Sequence, residues 1–196
     1  MNSTSKYIAP LIVVFLGLTI SCFAIDNAPQ IKIEYTVTLP GKMQKALDEF
    51  DPEFRVFAQS EFSYNIINKA YVFSAIQAPS AVIGDFNGDG VKDVALFGRN
   101  KTNSRILCIL SNGENFRVYD IESFNLEIGM IIEGPENKDS GLNIFLYYQP
   151  PDTVESLFEE TGLDLTSDSI VVVYFEKASK IVYFKENAFH SYLIAD

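Results

Sequence analysis

The sequence has few of the residues on which catalytic triads and zinc sites depend. Among 196 residues there is one histidine, His190, and there are two cysteines, Cys22 and Cys108. A single histidine with no serine or cysteine partner in view does not predict a triad, so we expect a packing or surface residue. Zinc is disfavoured because its usual histidine and cysteine ligands are missing.

Basic residues are also scarce. The chain has 15 Lys and Arg against 26 Asp and Glu, which gives a formal net charge of −11. Nucleic-acid backbones and anionic lipid surfaces both bind clustered lysine and arginine, so neither is a predicted partner. An acidic surface instead suits an exported protein, or one that attracts cations.

The N-terminus has the pattern of a secretory signal peptide. Lys6 precedes an apolar run at residues 8–20, and the small residues Cys22 and Ala24 stand at the −3 and −1 positions of a cleavage site. We therefore predict a signal peptide at residues 1–24, a single mature domain at residues 25–196 without a membrane span, and an extracytoplasmic location. An uncleaved membrane anchor and a lipid anchor on Cys22 are the alternatives.

Removal of residues 1–24 would leave Cys108 as the single cysteine, which excludes an internal disulfide in the mature domain. Cys108 lies within the apolar run 105–111. This setting is typical of a buried small hydrophobe rather than a nucleophile. A domain of this kind depends on its core, or on a bound metal, for stability.

Helical patterns are few. Met43, Ala46, Leu47 and Phe50 follow helical spacing, and Asp51 before a proline ends that helix. A second helix is predicted at residues 150–162, with Asp152 as its N-cap. The segment 54–70 is ambiguous, with a middle part that favours helix.

Strand patterns dominate the rest of the chain. The segment 31–39 alternates apolar and polar residues. From residue 71 onward, apolar segments alternate with turn signals, which predicts antiparallel hairpins rather than parallel strands with crossover helices. These segments are 71–76, 80–85, 93–98, 105–111, 116–121, 127–132, 142–148, 169–176, 180–185 and 189–196.

Residues 85–93, here called the acidic loop, interrupt two of these strands within the stretch AVIGDFNGDGVKDVALFG. Calcium binds six to eight oxygen atoms, and alternating residues direct every second side chain to one centre. The oxygens on offer are the carboxylates of Asp85, Asp89 and Asp93, the amide of Asn87 and the backbone carbonyl of Val91. Magnesium is less favoured because it retains several waters and takes few carboxylates.

Glycines and charge support the same interpretation. Gly90 permits a sharp turn, and Gly88 relaxes the loop before it. Turns are often rich in Asp, Asn and Gly for purely local reasons. That alternative does not explain three neighbouring carboxylates, since two charges about 4 Å apart repel by about 4 kcal/mol at an effective dielectric near 20.

The acidic loop begins like an EF-hand, but Leu96 stands where the bidentate glutamate belongs, and the flanks predict strands. It resembles instead the calcium loop of FG-GAP (VCBS) repeats, found in integrin α-subunit propellers and many bacterial exported proteins. DFNGDGVKD matches each defined position of that loop, once in this chain. The resemblance implies a Ca²⁺ ion bound by Asp85, Asn87, Asp89, Val91 and Asp93 between two strands of a hairpin.

The expected fold is α+β and mainly antiparallel β: blade-like meanders with two or three short helices. It is not a closed propeller, because that fold needs at least four four-stranded blades. The expected function is that of an exported calcium-binding module, structural, binding or accessory to the cell envelope. The resemblance implies a protein or glycan partner.

Two other functions were weighed. One is a secreted hydrolase that uses Glu159, Glu160 or Asp164 as acid and base, although the sequence offers no facing pair of acids. The other is a subunit that completes a sheet in a larger assembly through exposed strand edges. A non-enzymatic role is favoured over the hydrolase.

Overall fold

Antiparallel β-sheets form most of the structure, a computed structural model that describes residues 35–67, 78–125, 130–131, 141–155 and 162–195. The described residues belong to one compact unit, Glu34–Asp196. The predicted signal peptide, the predicted strand 71–76 and residues 156–161 of the predicted helix 150–162 lie outside the described residues.

The first sheet contains five strands, all paired antiparallel. Its strands are β1 (Arg55–Val56), β2 (Ala81–Gly84), β3 (Asp93–Arg99), β4 (Asn103–Asn112) and β5 (Asn115–Asn125). Their order is β1-β3-β4-β5. Strand β2 also pairs with β3, along residues 93–96, whereas β1 pairs with residues 98 and 99 of β3. The β4–β5 hairpin turns at Gly113, which has a φ of +64° and follows the predicted turn signal.

The second sheet has the antiparallel order β13-β12-β11-β8. Two short two-stranded pairs, β6 with β7 and β9 with β10, accompany it. The elements are β6 (Met130–Ile131), β7 (Gly141–Leu142), β8 (Ile144–Gln149), β9 (Thr153–Val154), β10 (Leu163–Asp164), β11 (Ser169–Tyr174), β12 (Ala178–Lys185) and β13 (Ala188–Ala195).

The main core contains residues of both sheets, because alternate residues of a strand point to opposite faces. Phe97 and Ile106 of the first sheet and Ile170 and Val172 of the second belong to one buried cluster. Cys108 is fully buried in that cluster, which confirms its prediction as a packing residue. The opposite face of the first sheet forms a separate cluster with Leu96, Leu107 and the helix.

The predicted first helix is confirmed as α1 (Gly41–Phe50). Met43 and Leu47 are buried against the first sheet, as the spacing predicts. Phe50 is an exception, since it stays 42% exposed with the Arg105 guanidinium over its ring. It lies at the last turn of the helix, beyond the main contact with the sheet.

The second predicted helix is wrong at its start. Thr153 and Val154 form a strand that pairs with Leu163 and Asp164. The Asp152 carboxylate accepts the adjacent Thr153 N–H at 2.8 Å, and the Asp152 carbonyl accepts the Leu165 N–H at 2.9 Å. Val154 and Leu163 pack beside Leu165, Val171 and Ile181. Burial against the second sheet outweighs the local capping pattern here.

Two other segments differ from expectation. Residues 35–40 alternate between half-buried and exposed as predicted, yet they do not form a strand. An alternating pattern decides which side chains are buried, but a strand also needs a neighbouring strand with which its backbone can pair. Segment 54–70 follows its prediction only in part: β1 comes first, and the middle contains a 3₁₀ turn at Gln59–Glu61 and helical backbone at 64–67. Within the described residues the fold is therefore mainly antiparallel β with the single α-helix α1, and no sheet closes into a barrel.

Candidate metal site

The acidic loop joins β2 to β3, and the antiparallel pair Gly84 and Asp93 closes it. This is the predicted strand–loop–strand arrangement. Gly88 and Gly90 have φ values of +73° and +86°, which a residue with a Cβ atom adopts only under strain. Both glycines therefore have the turning role that the sequence predicts.

Two of the predicted ligand oxygens converge on one backbone atom. Asp85 Oδ1 lies 3.0 Å from the Asp89 nitrogen, and Asn87 Oδ1 lies 3.1 Å from the same nitrogen. The other carboxylate oxygen of Asp85 accepts the Gly90 N–H at 2.8 Å. The loop thus folds around the side chains at its first and third positions.

Asp89 has a second set of partners. Its Oδ1 accepts the Val91 N–H at 2.8 Å, while its Oδ2 accepts the Asn87 side-chain amide at 3.1 Å and the Ser111 hydroxyl. The Ser111 hydrogen bond, followed by those from Val91 and Asn87, lowers the pKa of Asp89. The lowered pKa keeps this exposed carboxylate ionised at neutral pH.

Asp93 lies at the base of the loop and is fully buried. It accepts the Phe86 N–H at 2.9 Å and the Ser111 N–H at 2.7 Å, so that it joins the loop to the end of β4. Burial raises the pKa of Asp93 to about 6, although these backbone hydrogen bonds act in the opposite direction. Among the described residues, no lysine or arginine forms an ion pair with this carboxylate.

The oxygen atoms of the loop are chemically suited to a hard cation, but they do not all surround one point. Within the described ranges, no three His, Cys, Asp or Glu side chains are grouped as a metal cluster. Asp85 and Asn87 both accept the Asp89 N–H. Asp93 is buried below them, and its partner Ser111 also donates to Asp89. An ionised carboxylate has about four lone-pair sites, so oxygens that accept one N–H keep capacity for a cation.

Asp168, which the sequence analysis missed, anchors the acidic loop from outside. This buried residue, immediately before β11, accepts the Asp85 N–H at 2.7 Å and the Lys92 ammonium at 3.2 Å through Oδ2. Its Oδ1 accepts the Tyr148 hydroxyl at 2.7 Å. Burial opposes ionisation, but these hydrogen bonds and the Lys92 charge together lower the pKa of Asp168.

Phe86 fixes the loop by packing. It is 1% exposed and belongs to the main core cluster, and its carbonyl accepts the Ser167 hydroxyl at 2.9 Å. A Cβ atom on Gly84 would lie 2.6 Å from the Phe86 ring and 3.0 Å from Asp168 Cβ. Sequence spacing could not reveal these contacts, because Asp168 and Asp85 are 83 positions apart.

The remaining candidate residues lie elsewhere. Asp164 is exposed on β10 and accepts the Thr153 hydroxyl at 2.7 Å, while Glu159 and Glu160 lie outside the described residues. His190 is exposed and stacks on Tyr183 with ring centroids 5.6 Å apart, consistent with a surface residue. The partners of Asp164 and His190, Thr153 and Lys185, both lie outside the acidic loop.

The chain has no significant match among known protein families, curated proteins or solved structures. The likeness to FG-GAP repeats therefore depends on the acidic loop and its flanking strands. Of the helices in the described ranges, none has the length and apolar character needed to cross a membrane.

Proposed function

We propose that this chain is an exported calcium-binding domain of FG-GAP type, in which Ca²⁺ stabilises the β2–β3 hairpin. The observation that carries the proposal is the convergence of Asp85 Oδ1 and Asn87 Oδ1 on the Asp89 nitrogen, within 3.1 Å. Two oxygens that meet around one small loop, beside a third carboxylate, form the beginning of a hard-cation site.

The ion would be bound by the side chains of Asp85, Asn87, Asp89 and Asp93 and by the carbonyl of Val91. When bound, it supplies positive charge to a group of carboxylates that otherwise repel one another. Asp93 gains most from this charge, because it is buried without an ion pair among the described residues. A structural role is favoured over catalysis, since all five groups are oxygen ligands of the loop itself.

The fold around the loop supports the same role. The first and second sheets each present four neighbouring antiparallel strand positions, the size of a propeller blade, but two such sheets are too few for a closed propeller. Cys108 is buried and free, so the described residues contain no disulfide that could perform the same stabilising task. We therefore propose a module that binds or supports a partner, a protein or glycan by resemblance.

The test is a thermal melt of the full chain in millimolar calcium and in chelator. A free calcium concentration of about 100 times the dissociation constant adds about 2.7 kcal/mol to the free energy of unfolding. For a domain of this size we expect the melting temperature to rise by about 5–10 °C. Titration calorimetry with calcium, and separately with magnesium, measures the affinity and the preference directly.

Asp89→Ala should abolish the calcium-dependent rise, because it removes an exposed ligand and leaves the core contacts intact. Asp48→Ala is the matched control: it removes the same charge from α1 at a site away from the acidic loop. It should retain the full rise. The absence of any shift in the unmodified chain at millimolar calcium would refute the proposal.

A further inference from the structure

The acidic loop is attached to the rest of the fold by its backbone as well as by its side chains. The N–H of Asp85 donates to Asp168 at 2.7 Å, and the carbonyl of Phe86 accepts the Ser167 hydroxyl at 2.9 Å. Both anchors come from the two residues that lead into β11 of the second sheet. The first two residues of the loop are thus fixed by a segment more than 80 positions away.

Asp168 is itself well fixed. It is 8% exposed, and the Tyr148 hydroxyl of β8 donates to its Oδ1 at 2.7 Å. The ammonium group of Lys92, at the far end of the loop, lies 3.2 Å from Oδ2. A single buried carboxylate therefore contacts both ends of the loop and is oriented by a strand of the second sheet.

We infer that Asp168 is a positioning residue for the cation site: it does not touch the ion, but it sets the place of the first ligand, Asp85. The inference rests on the proposed function. Metal sites require their ligands within about 0.5 Å of the productive geometry, and groups that orient a ligand affect affinity without binding the metal. Because Asp168 immediately precedes β11 of the second sheet, it also couples ion binding to the packing of the two sheets.

The experiment measures calcium affinity by calorimetry in the full chain and in variants. Asp168→Ala should weaken binding by about 10- to 100-fold, the range found when an orienting partner of a metal ligand is removed. Asp168→Asn should restore most of the affinity, because an amide oxygen still accepts the Asp85 N–H. Asp48→Ala, with the same change in charge, should bind as tightly as the unmodified chain.

Hydrogen exchange in chelator supplies a readout that does not depend on the ion. Asp168→Ala should increase exchange of the Asp85 amide, while amides in the centre of β4 keep their protection. A general loss of structure would affect both sets. If Asp168→Ala fails to fold, Tyr148→Phe and Ser167→Ala replace it, each with an expected loss of several-fold in affinity.

The outcomes separate the inference from the function on which it rests. If the unmodified chain binds calcium and folded Asp168→Ala binds it equally well, the inference is overturned and the proposed function stands. The same holds if both replacement variants bind within twofold of the unmodified chain. If the unmodified chain does not bind calcium, both are overturned.

Discussion

Two buried aspartates border the acidic loop, and they differ in what compensates their charge. Asp93, at its base, accepts backbone N–H groups from Phe86 and Ser111 and has no ion pair among the described residues. Asp168, beyond its other side, accepts one backbone N–H together with the Tyr148 hydroxyl and the Lys92 ammonium. Burial raises the pKa of Asp93 to about 6, whereas the partners of Asp168 outweigh burial and lower its pKa.

The difference separates two uses of a buried carboxylate. Asp168 has its compensating charge and donors within the protein, as a residue with a purely structural role should. Asp93 lacks a compensating cation in the described part of the chain, which is the condition in which an added ion stabilises a site most. Under the proposed function, a cation would compensate the charge of Asp93, whereas Asp168 already has its partners within the protein.

The largest expected effect comes from Asp93→Ala. It leaves the buried Phe86 and Ser111 N–H groups without this acceptor, and each such group costs about 1–3 kcal/mol, so we expect the free energy of unfolding to fall by about 2–6 kcal/mol. Urea unfolding in chelator measures it apart from any ion. Asp48→Ala is the control, and a loss for Asp93→Ala no larger than the control's would contradict the assigned role.

The pH dependence of stability should have opposite signs for the two aspartates. The pKa of Asp93 in the folded protein is about 6, above the ordinary 3.8, so folding favours the protonated form. The contribution of Asp93 to the free energy of unfolding is therefore complete below pH 3.8 and is lost as the pH rises to about 6. About two pKa units correspond to at most about 3 kcal/mol. The pKa of Asp168 is lowered, so Asp168 instead stabilises the fold at pH values above its ordinary pKa of 3.8, and this stabilisation is lost as the pH falls.

Urea unfolding across this pH range, in chelator, tests both signs. Asp93→Asn should flatten the decline between pH 3.8 and about 6, and Asp168→Asn should remove part of the acid-induced loss. Calcium should suppress the Asp93 decline. The same slope in both variants would show that the two carboxylates are not distinguished in this way.

Gly84→Ala tests the packing that both regions share. Its Cβ would lie 2.6 Å from the Phe86 ring and 3.0 Å from Asp168 Cβ, so the ring or the anchor must shift. Overpacking of this kind costs about 1–3 kcal/mol. Gly41→Ala, where no atom lies within 4 Å of the added carbon, is the matched control and should leave thermal unfolding nearly unchanged.

The smallest effect on stability is expected from Lys92→Met. This change removes the ammonium group that pairs with Asp168 and keeps the aliphatic part of the side chain. The Lys92 side chain is 66% exposed, and ion pairs of exposed residues contribute about 0–1 kcal/mol. Unfolding in low and high salt measures the difference, which salt should reduce. A loss larger than that of Gly84→Ala would mean that the Lys92 charge, rather than the buried donors, secures Asp168.

Much of the fold follows from patterns that span a few residues. Local periodicity predicts the strands between residues 81 and 125, the strands β8, β11, β12 and β13, and the helix over Met43 and Leu47. The turn at Gly113 has the positive φ that glycine permits. The segment at Asp152 shows the limit. Its capping pattern predicts a helix, yet Thr153 and Val154 pair with Leu163 and Asp164, whose position the local pattern does not encode.

The candidate site divides in the same way. Alternating oxygen donors and glycines with positive φ are local properties, so Asp85, Asn87, Asp89 and Gly90 could be identified from the chain alone. The contributions of Ser111 and Asp168 could not, since each comes from a different strand or sheet. Neither residue stands in a pattern that marks a ligand or an anchor.

The order of the residues thus determines the position of the loop, its oxygen-bearing side chains and the strands on either side, because each depends on neighbours within about two turns or one hairpin. The burial of Asp93, the inward packing of Phe86 and the anchoring by Asp168 arise only when two distant sheets meet. The physical reason is the range of each effect along the chain. Residue spacing controls which way a side chain points, whereas its desolvation and its hydrogen-bond partners depend on residues that are far away in the sequence and pack against it in the fold.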